Sequence, residues 1–183
     1  YDTTQALAHA AEQAVQRKYE DFLIVDVDSH HYESESFSEI AEYIEDPVLR
    51  QNASHQAMTK PGIDTGNGSF QELNGRIIRY RGRRKEKTPE KPHRDITLMR
   101  RWMDAMGVDL ACLFPTPMLF LGLHPQVEVE TAMCRAYNRW LCERILAQEP
   151  RIISMLYLPF NDPEAAYKTV KDFGDKKGVV GFM

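Results

Sequence analysis

Residues 26–33 read Asp-Val-Asp-Ser-His-His-Tyr-Glu and follow directly on an apolar run, Phe-Leu-Ile-Val, at residues 22–25. The apolar run predicts a buried strand over residues 22–28 that ends in carboxylates and imidazoles. Asp28 and His30 are two positions apart, so an extended backbone directs both side chains to the same side. Acidic and histidine side chains at the carboxyl end of a strand are typical of the mouth of α/β barrels, where catalysis takes place.

The pair of Asp28 and His30 is a candidate ligand set for a divalent metal, because carboxylates and imidazoles both bind such ions. The alternative is a strand-end pair that makes ordinary hydrogen bonds. Glu33 extends the pattern to Asp-x-His-x-x-Glu, which would suit one side of a two-metal site; a solvated or helix-capping acid is the alternative for this residue. His31 is expected to point the other way, into packing or a supporting shell.

Composition narrows the class of protein. The chain has 183 residues, enough for one domain, and its net charge of −4 gives no general attraction to nucleic acid or anionic lipid. It contains no apolar run long enough to span a bilayer and no recognisable secretory signal. Its three cysteines are an odd number without a CxxC pair. These features favour a reduced, cytoplasmic protein with buried thiols.

The remaining chain alternates apolar strands with amphipathic helices. An N-terminal helix is predicted within residues 1–20, and a capping box at residues 36–39 opens a short helix that Asp46-Pro47 ends. Asp95 is predicted to cap a helix that carries a core stripe of Met99, Met103 and Met106 and closes at Gly107. Further strands are predicted at 108–114, 152–158 and 178–183, and further helices at 125–148 and 162–173.

Alternating strands and helices predict parallel βαβ units, and four such units are half of a (β/α)₈ barrel. No strand is followed by a glycine-rich phosphate loop, so a nucleotide-binding fold has little support. We therefore expect residues 1–183 to form the N-terminal half of one TIM-like barrel domain. Residues 51–94 would be an excursion over the barrel mouth, with a hairpin turn at Asn74-Gly75. The start at Tyr1 and the apolar end at Met183 suggest an incomplete chain.

Several segments resemble the amidohydrolase-related family, the branch of the amidohydrolase superfamily that includes aminocarboxymuconate-semialdehyde and γ-resorcylate decarboxylases. The resemblance covers roughly residues 22–183, and residues 51–94 match least well. The segments that carry it are Val25-Asp26-Val27-Asp28-Ser29-His30, Met103-Asp104-Ala105-Met106-Gly107-Val108-Asp109, Leu113-Phe114-Pro115-Thr116, Ala136-Tyr137-Asn138-Arg139-Trp140-Leu141, Pro150-Arg151-Ile152 through Leu158-Pro159, and Asp162-Pro163-Glu164-Ala165-Ala166.

The resemblance implies a metal-dependent barrel that acts on a small carboxylated or aromatic substrate as a hydrolase or non-oxidative decarboxylase. The first strand of the family usually ends in His-x-His, whereas this chain has Asp28 and His30. A carboxylate in the first position shifts the metal preference from Zn²⁺ towards Mn²⁺ or Fe, as one ion or two. The remaining ligands and the general acid or base of the family would lie beyond Met183.

Two other functions stay open at this point. A non-heme iron or diiron oxygenase on the same scaffold would use the carboxylate-rich set of Asp28, His30 and Glu33. A non-catalytic half-barrel would work only as a subunit of an assembly. In every case we expect a small-molecule substrate or partner chains rather than nucleic acid or membrane. The partners would be the complementary half of the barrel and further copies, in a homodimer or higher oligomer.

Three residues are candidate substrate contacts. His124 follows the second strand in a loop that would open on the barrel mouth, although a helix-start histidine is the alternative. Thr116 stands at the carboxyl end of the same strand. Asn161 ends the third strand and could reach substrate or cap the next helix.

Overall fold

A four-stranded parallel sheet organises the protein, whose computed structural model describes residues 3–59 and 91–183. The strands lie side by side in the order in which they occur along the chain, and each neighbouring pair is parallel. Their bounds are β1 Val25–His30, β2 Leu110–Phe114, β3 Ile152–Leu156 and β4 Val179–Phe182. The predicted α/β architecture with parallel strands is therefore confirmed, and closure into an eight-stranded barrel stays a prediction.

Helices connect the strands and precede the first one. The predicted N-terminal helix is present as α1, and a helix precedes each of the later strands, as the alternating pattern indicated. The bounds are α1 Thr3–Gln16, α2 Phe37–Glu42, α3 Pro47–Thr59, α4 Arg94–Met106, α5 Val127–Leu141 and α6 Pro163–Phe173. None of the helices in the described ranges is long and apolar enough to cross a membrane.

The sheet has one well-covered face. Ile152, Ser154 and Leu156 alternate along β3 and are fully buried, as are Ala111 and Leu113 on the neighbouring strand. The four apolar side chains of this set belong to one core with residues of α4 and α5, because the apolar faces of the helices pack on the sheet. The other face is less covered: Ile153 and Met155 of β3 are only partly buried.

Several predicted boundaries were wrong for identifiable reasons. β1 begins at Val25 and continues through His30, with a register shift against β2 between Asp26 and Ser29. Asp46-Pro47 does not end a helix. It begins α3, and the Asp46 carboxylate accepts hydrogen bonds from the amides of Val48 and Leu49. The expected capping box opens α2 at Phe37, but the Ser36 side chain makes no capping hydrogen bond.

The helix α4 corrects two further predictions. His93 rather than Asp95 caps it, since the His93 Nδ1 atom accepts the Asp95 amide proton at 3.1 Å. The Asp95 carboxylate instead turns into the core. Met99 and Met103 are buried as predicted, but Met106 is 41% exposed, because it lies at the last turn, beyond the covered face. Gly107 closes the helix in the left-handed conformation, as predicted.

The three cysteines, Cys112, Cys134 and Cys142, are buried and free, which confirms the expectation of buried thiols. Burial raises the pKa of Cys142 to about 11, so the thiolate form that reacts with oxidants or metals is disfavoured. The predicted hairpin at Asn74-Gly75 lies outside the described residues, as does most of the predicted excursion. The part of the excursion that is described belongs to α3 and to the approach to α4.

Candidate metal site

Asp28 and His30 meet at the carboxyl end of β1, as their spacing predicted. The His30 Nε2 atom lies 3.2 Å from Asp28 Oδ1, and the two side chains are 26% and 83% exposed. Because all four strands are parallel, the loops that follow β2 and β3 reach the same edge of the sheet. The pair is therefore accessible at the edge where α/β enzymes bind their ligands.

The orientation of the His30 ring is set by its other nitrogen. His30 Nδ1 lies 3.0 Å from the carbonyl oxygen of Pro115, at the end of β2. A carbonyl can only accept, so Nδ1 carries a proton and donates it. In the neutral ring Nε2 is then a lone pair that faces the Asp28 carboxylate. Two acceptor atoms 3.2 Å apart need a cation between them, either a proton or a metal ion.

The donor set fits a divalent metal. A neutral imidazole nitrogen and a carboxylate oxygen that bind one ion at about 2.1 Å each lie at most about 4.2 Å apart, and the observed separation is within that limit. A histidine that ligates a metal usually donates its second ring proton to a carbonyl or carboxylate, the role that Pro115 fills here. In the described ranges 3–59 and 91–183, however, no three His, Cys, Asp or Glu side chains converge as a metal-binding group.

Glu33 does not join this pair, which corrects its assignment as a third ligand. Its side chain is fully buried. Its Oε2 accepts the Thr116 amide proton at 2.9 Å, and its Oε1 accepts the Met118 amide proton at 2.6 Å. Burial raises the pKa of Glu33, whereas the nearby His31 and these amide bonds act in the opposite direction. Both oxygens of the Glu33 carboxylate are therefore used in hydrogen bonds to the turn that follows β2.

His31 points to the opposite side of the strand end, as predicted, and joins a buried polar network. Its Nδ1 atom lies 3.0 Å from Asp95 Oδ2, and its Nε2 atom lies 2.8 Å from the Tyr137 hydroxyl. The ring also stacks on Trp140 with centroids 5.9 Å apart. Desolvation alone would raise the pKa of Asp95, but the hydrogen bond and charge of His31, with His93 and Arg94 nearby, hold it below its usual value.

The three candidate substrate contacts lie at the expected edge but differ in availability. Thr116 is buried, and its Oγ1 lies 3.4 Å from His30 Nδ1, so it supports the histidine. Asn161 donates to the Gly122 carbonyl at 2.9 Å and to Glu130 Oε2 at 2.7 Å, which ties the loops after β2 and β3 together. Asp162, not Asn161, caps α6. His124 accepts the Gln126 amide proton just before α5, as a helix-start histidine would.

A cavity of about 180 Å³ opens beside His124. It lies between the helices that follow β1, the turn that follows β2, and α5. Most of its lining residues are apolar and a few are polar; the lining includes Phe37, Ile44, Leu121, Val129, Asn52 and Gln126. A 150 Å³ apolar cavity in another protein admits benzene, so this volume suffices for a single ring.

Sequence reasoning missed the groups that hold the site in place. The Pro115 carbonyl, Asp95 and Tyr137 contact His30 or His31 from positions 64 to 106 residues away in the chain. A carbonyl carries no signal in the sequence. The sequence signal of Asp95 was misleading, because an acid in the first turn of a helix usually indicates a cap or a partner of the helix dipole.

Comparison with known proteins does not assign the chain to a family: no family model matches it, and no curated protein matches it significantly. The resemblance of its motifs to the amidohydrolase-related family remains a hypothesis.

Proposed function

We propose that this chain carries the first-strand portion of a divalent metal site in an enzyme of the amidohydrolase type, a hydrolase or non-oxidative decarboxylase. The observation that supports this most is the facing pair of His30 Nε2 and Asp28 Oδ1, with the other ring nitrogen held by the Pro115 carbonyl. The strand order, in which each strand pairs with the next, is also the order found in a (β/α)₈ barrel.

Each residue of the pair has a distinct role in this proposal. His30 would supply its Nε2 atom to the metal, because the Pro115 carbonyl accepts the proton of Nδ1. Asp28 supplies a charged oxygen from a largely exposed position, where it remains accessible to solvent and substrate. A carboxylate paired with an imidazole favours Mn²⁺ or Fe over Zn²⁺. When bound, the ion lowers the pKa of a water molecule and polarises a carbonyl or carboxylate of the substrate.

The site needs further ligands, and we infer that additional strands supply them. In the described part of the chain β1 and β4 are the outer strands of the sheet, and one face of the sheet is only partly covered. Four more βα units beside these edges would complete an eight-stranded barrel and bring their own side chains to the same mouth. They would come from a continuation of this polypeptide or from a partner chain.

The cavity beside His124 has the size and lining to take one small ring, which is the substrate class that we propose. Its volume fits one ring, its walls are mainly apolar, and His124 and Gln126 are among its polar lining residues. An apolar pocket with a few polar groups is the usual form of a site for a small molecule. Neither Asp28 nor His30 lines this cavity, so His124 would contact a ring bound there without belonging to the metal pair.

The hypothesis of a diiron oxygenase loses its main support. It depended on Glu33 as a third ligand beside Asp28 and His30, and the Glu33 carboxylate is occupied by two backbone amides. A non-catalytic subunit remains the alternative from a different class. It predicts that Asp28 and His30 bind no metal in the complete assembly.

The test is metal binding by the natively purified protein. We expect about one Mn, Fe or Zn per chain by elemental analysis, and Mn²⁺ binding by titration calorimetry after removal of the metal with a chelator. His30→Gln and Asp28→Asn are each expected to weaken Mn²⁺ binding at least tenfold, since each removes one ligand. His9→Gln, an exposed histidine on α1, and Asp172→Asn, on the outer surface of α6, are the matched controls. Equal Mn²⁺ affinity in all four variants would contradict the proposal.

A further inference from the structure

The turn after β2 connects two features that are otherwise separate, the buried Glu33 carboxylate and the ring of His30. Pro115 and Thr116 form the start of this turn. The Pro115 carbonyl and Thr116 Oγ1 lie 3.0 and 3.4 Å from His30 Nδ1. The Thr116 and Met118 amides are donors to Glu33. A single short segment therefore contacts the proposed metal ligand with one side and Glu33 with the other.

Glu33 accepts hydrogen bonds of a strong type, from two backbone amides. Hydrogen bonds from backbone amides to a carboxylate are stronger than those between neutral groups. Both oxygens of Glu33 are used, at 2.9 and 2.6 Å, and the side chain is fully buried. Thr116 is the N-cap of the 3₁₀ turn Pro117–Leu123 and Met118 is its second residue, so their amides have no partner within the turn. Glu33 supplies those partners from another part of the chain.

We propose that Glu33 is a positioning residue for His30. By binding the Thr116 and Met118 amides, it fixes the turn that presents the Pro115 carbonyl, and this carbonyl keeps the His30 proton on Nδ1 and leaves Nε2 free as a ligand. The inference rests on the proposed metal site for its functional meaning. Its structural half, the control of the His30 tautomer, can be measured without any metal.

The experiment compares Glu33→Gln with Glu149→Gln. Glu149 is a second buried glutamate that accepts a backbone amide proton, from Arg151 at 3.0 Å, but it precedes β3 and so lies at the opposite edge of the sheet. Both substitutions keep the shape of the side chain and remove its charge. A loss of general stability affects both variants, whereas a change at His30 is specific to Glu33.

Two readouts are taken for each folded variant. Nitrogen NMR of the His30 ring in the metal-free protein reports which nitrogen carries the proton. In the neutral form of the ring we expect Nδ1–H in the parent protein and in Glu149→Gln, and a shift towards Nε2–H in Glu33→Gln. Titration with Mn²⁺ is expected to show binding weakened about 10- to 100-fold in Glu33→Gln, as for other residues that orient a ligand, and within about twofold of the parent in Glu149→Gln.

The outcomes separate the two proposals. An unchanged His30 tautomer and unchanged Mn²⁺ affinity in a folded Glu33→Gln protein overturn the positioning role. Absence of Mn²⁺ binding by the natively purified parent protein, with the additional strands present, overturns the proposed function, but the tautomer shift still decides the role of Glu33. If Glu33→Gln does not fold, Glu33→Asp retains the charge but shortens the side chain by one methylene. The His30 tautomer and the Mn²⁺ affinity are then measured on Glu33→Asp. A smaller shift of both in the same direction supports the positioning role, and no shift of either overturns it.

Discussion

At the scale of single residues, neighbouring positions in this chain have opposite environments. His30 is partly exposed beside Asp28, whereas His31 is buried between Asp95 and Tyr137. The alternation of side chains along a strand separates the two, and the polar network around His31 holds the strand end from the helix side. The backbone amide of His31 adds a bond to the Phe114 carbonyl at 3.0 Å. We infer that the second histidine is structural and that it keeps the first one at the open edge.

A pH-dependent stability is predicted from Asp95. Its pKa is lower in the folded protein than the usual value near 4, so the unfolded chain binds more protons below about pH 5, and folding stability falls as the pH falls through that range. Asp95→Asn is expected to lower the free energy of unfolding by about 1.5–3 kcal/mol at pH 7, because the charged acceptor of the His31 hydrogen bond is lost. The difference from the parent protein should shrink towards pH 3.

Urea unfolding at pH 7, 5, 4 and 3 measures this difference. Asp172→Asn is the control, because Lys168 and Arg135 also lower the pKa of that carboxyl, but it lies in solvent, where such pairs contribute little. The prediction is contradicted if the difference in free energy of unfolding between Asp95→Asn and the parent protein stays constant with pH.

At the scale of elements, the join between α4 and β2 depends on Gly107. Its φ of +69° lies in the left-handed region, and an added Cβ would come within 3.1 Å of the Tyr19 Cβ and 3.4 Å of the Ala14 Cβ. The same residue therefore ends α4 and lets α1 and the turn after it approach closely. A side chain there meets both backbone strain and a steric contact.

Gly107→Ala is expected to lower the free energy of unfolding by about 1–3 kcal/mol, through the strained φ and the contact with Tyr19. Thermal and urea unfolding measure the loss. Gly181→Ala is the matched control, since an added Cβ there meets only Met155 side-chain atoms at 3.4 Å and beyond, which is ordinary contact distance. Equal losses in the two variants would show that the left-handed conformation and the contact have no particular cost.

The segment just after β3 is tied to α5 by a side-chain amide. The buried Asn138 donates to the Tyr157 carbonyl at 2.8 Å and accepts the Tyr157 amide proton at 3.1 Å. One side-chain amide thus replaces a missing strand partner just beyond β3. This explains in physical terms why an asparagine is suited to the middle of an otherwise core-facing helix.

At the scale of the whole molecule, the sheet has an edge strand that carries exposed apolar residues. Val27 of β1 is 71% exposed, and Val25 is 38% exposed. An exposed edge strand with apolar side chains favours pairing with another chain or with additional strands. This is the surface that the proposed additional βα units would cover.

We expect this chain by itself to associate in a concentration-dependent manner and Val27→Ser to reduce that association. Val15→Ser is the control, because Val15 is also 71% exposed but lies on the helix α1, which has no unpaired backbone groups along its length. Sedimentation velocity over a range of protein concentrations measures the effect. The expectation fails if both variants associate as the parent protein does, or if both reduce association equally.

The amino-acid sequence by itself determined the features that depend on neighbouring residues. The apolar runs marked the strands, and their alternation with helices indicated parallel pairing. The spacing of Asp28 and His30 placed both side chains together, and Gly107 marked the end of a helix. Such features are predictable because propensity and periodicity act over a few residues.

The tertiary structure alone decided the partners of the buried polar groups. Glu33 was assigned to the metal from its spacing, yet it binds amides 83 and 85 residues further along the chain. Asp95 was assigned to a helix end, yet it binds His31, 64 residues earlier. A buried charge has to find compensating donors wherever the fold brings them, and local sequence carries no record of which distant residue arrives.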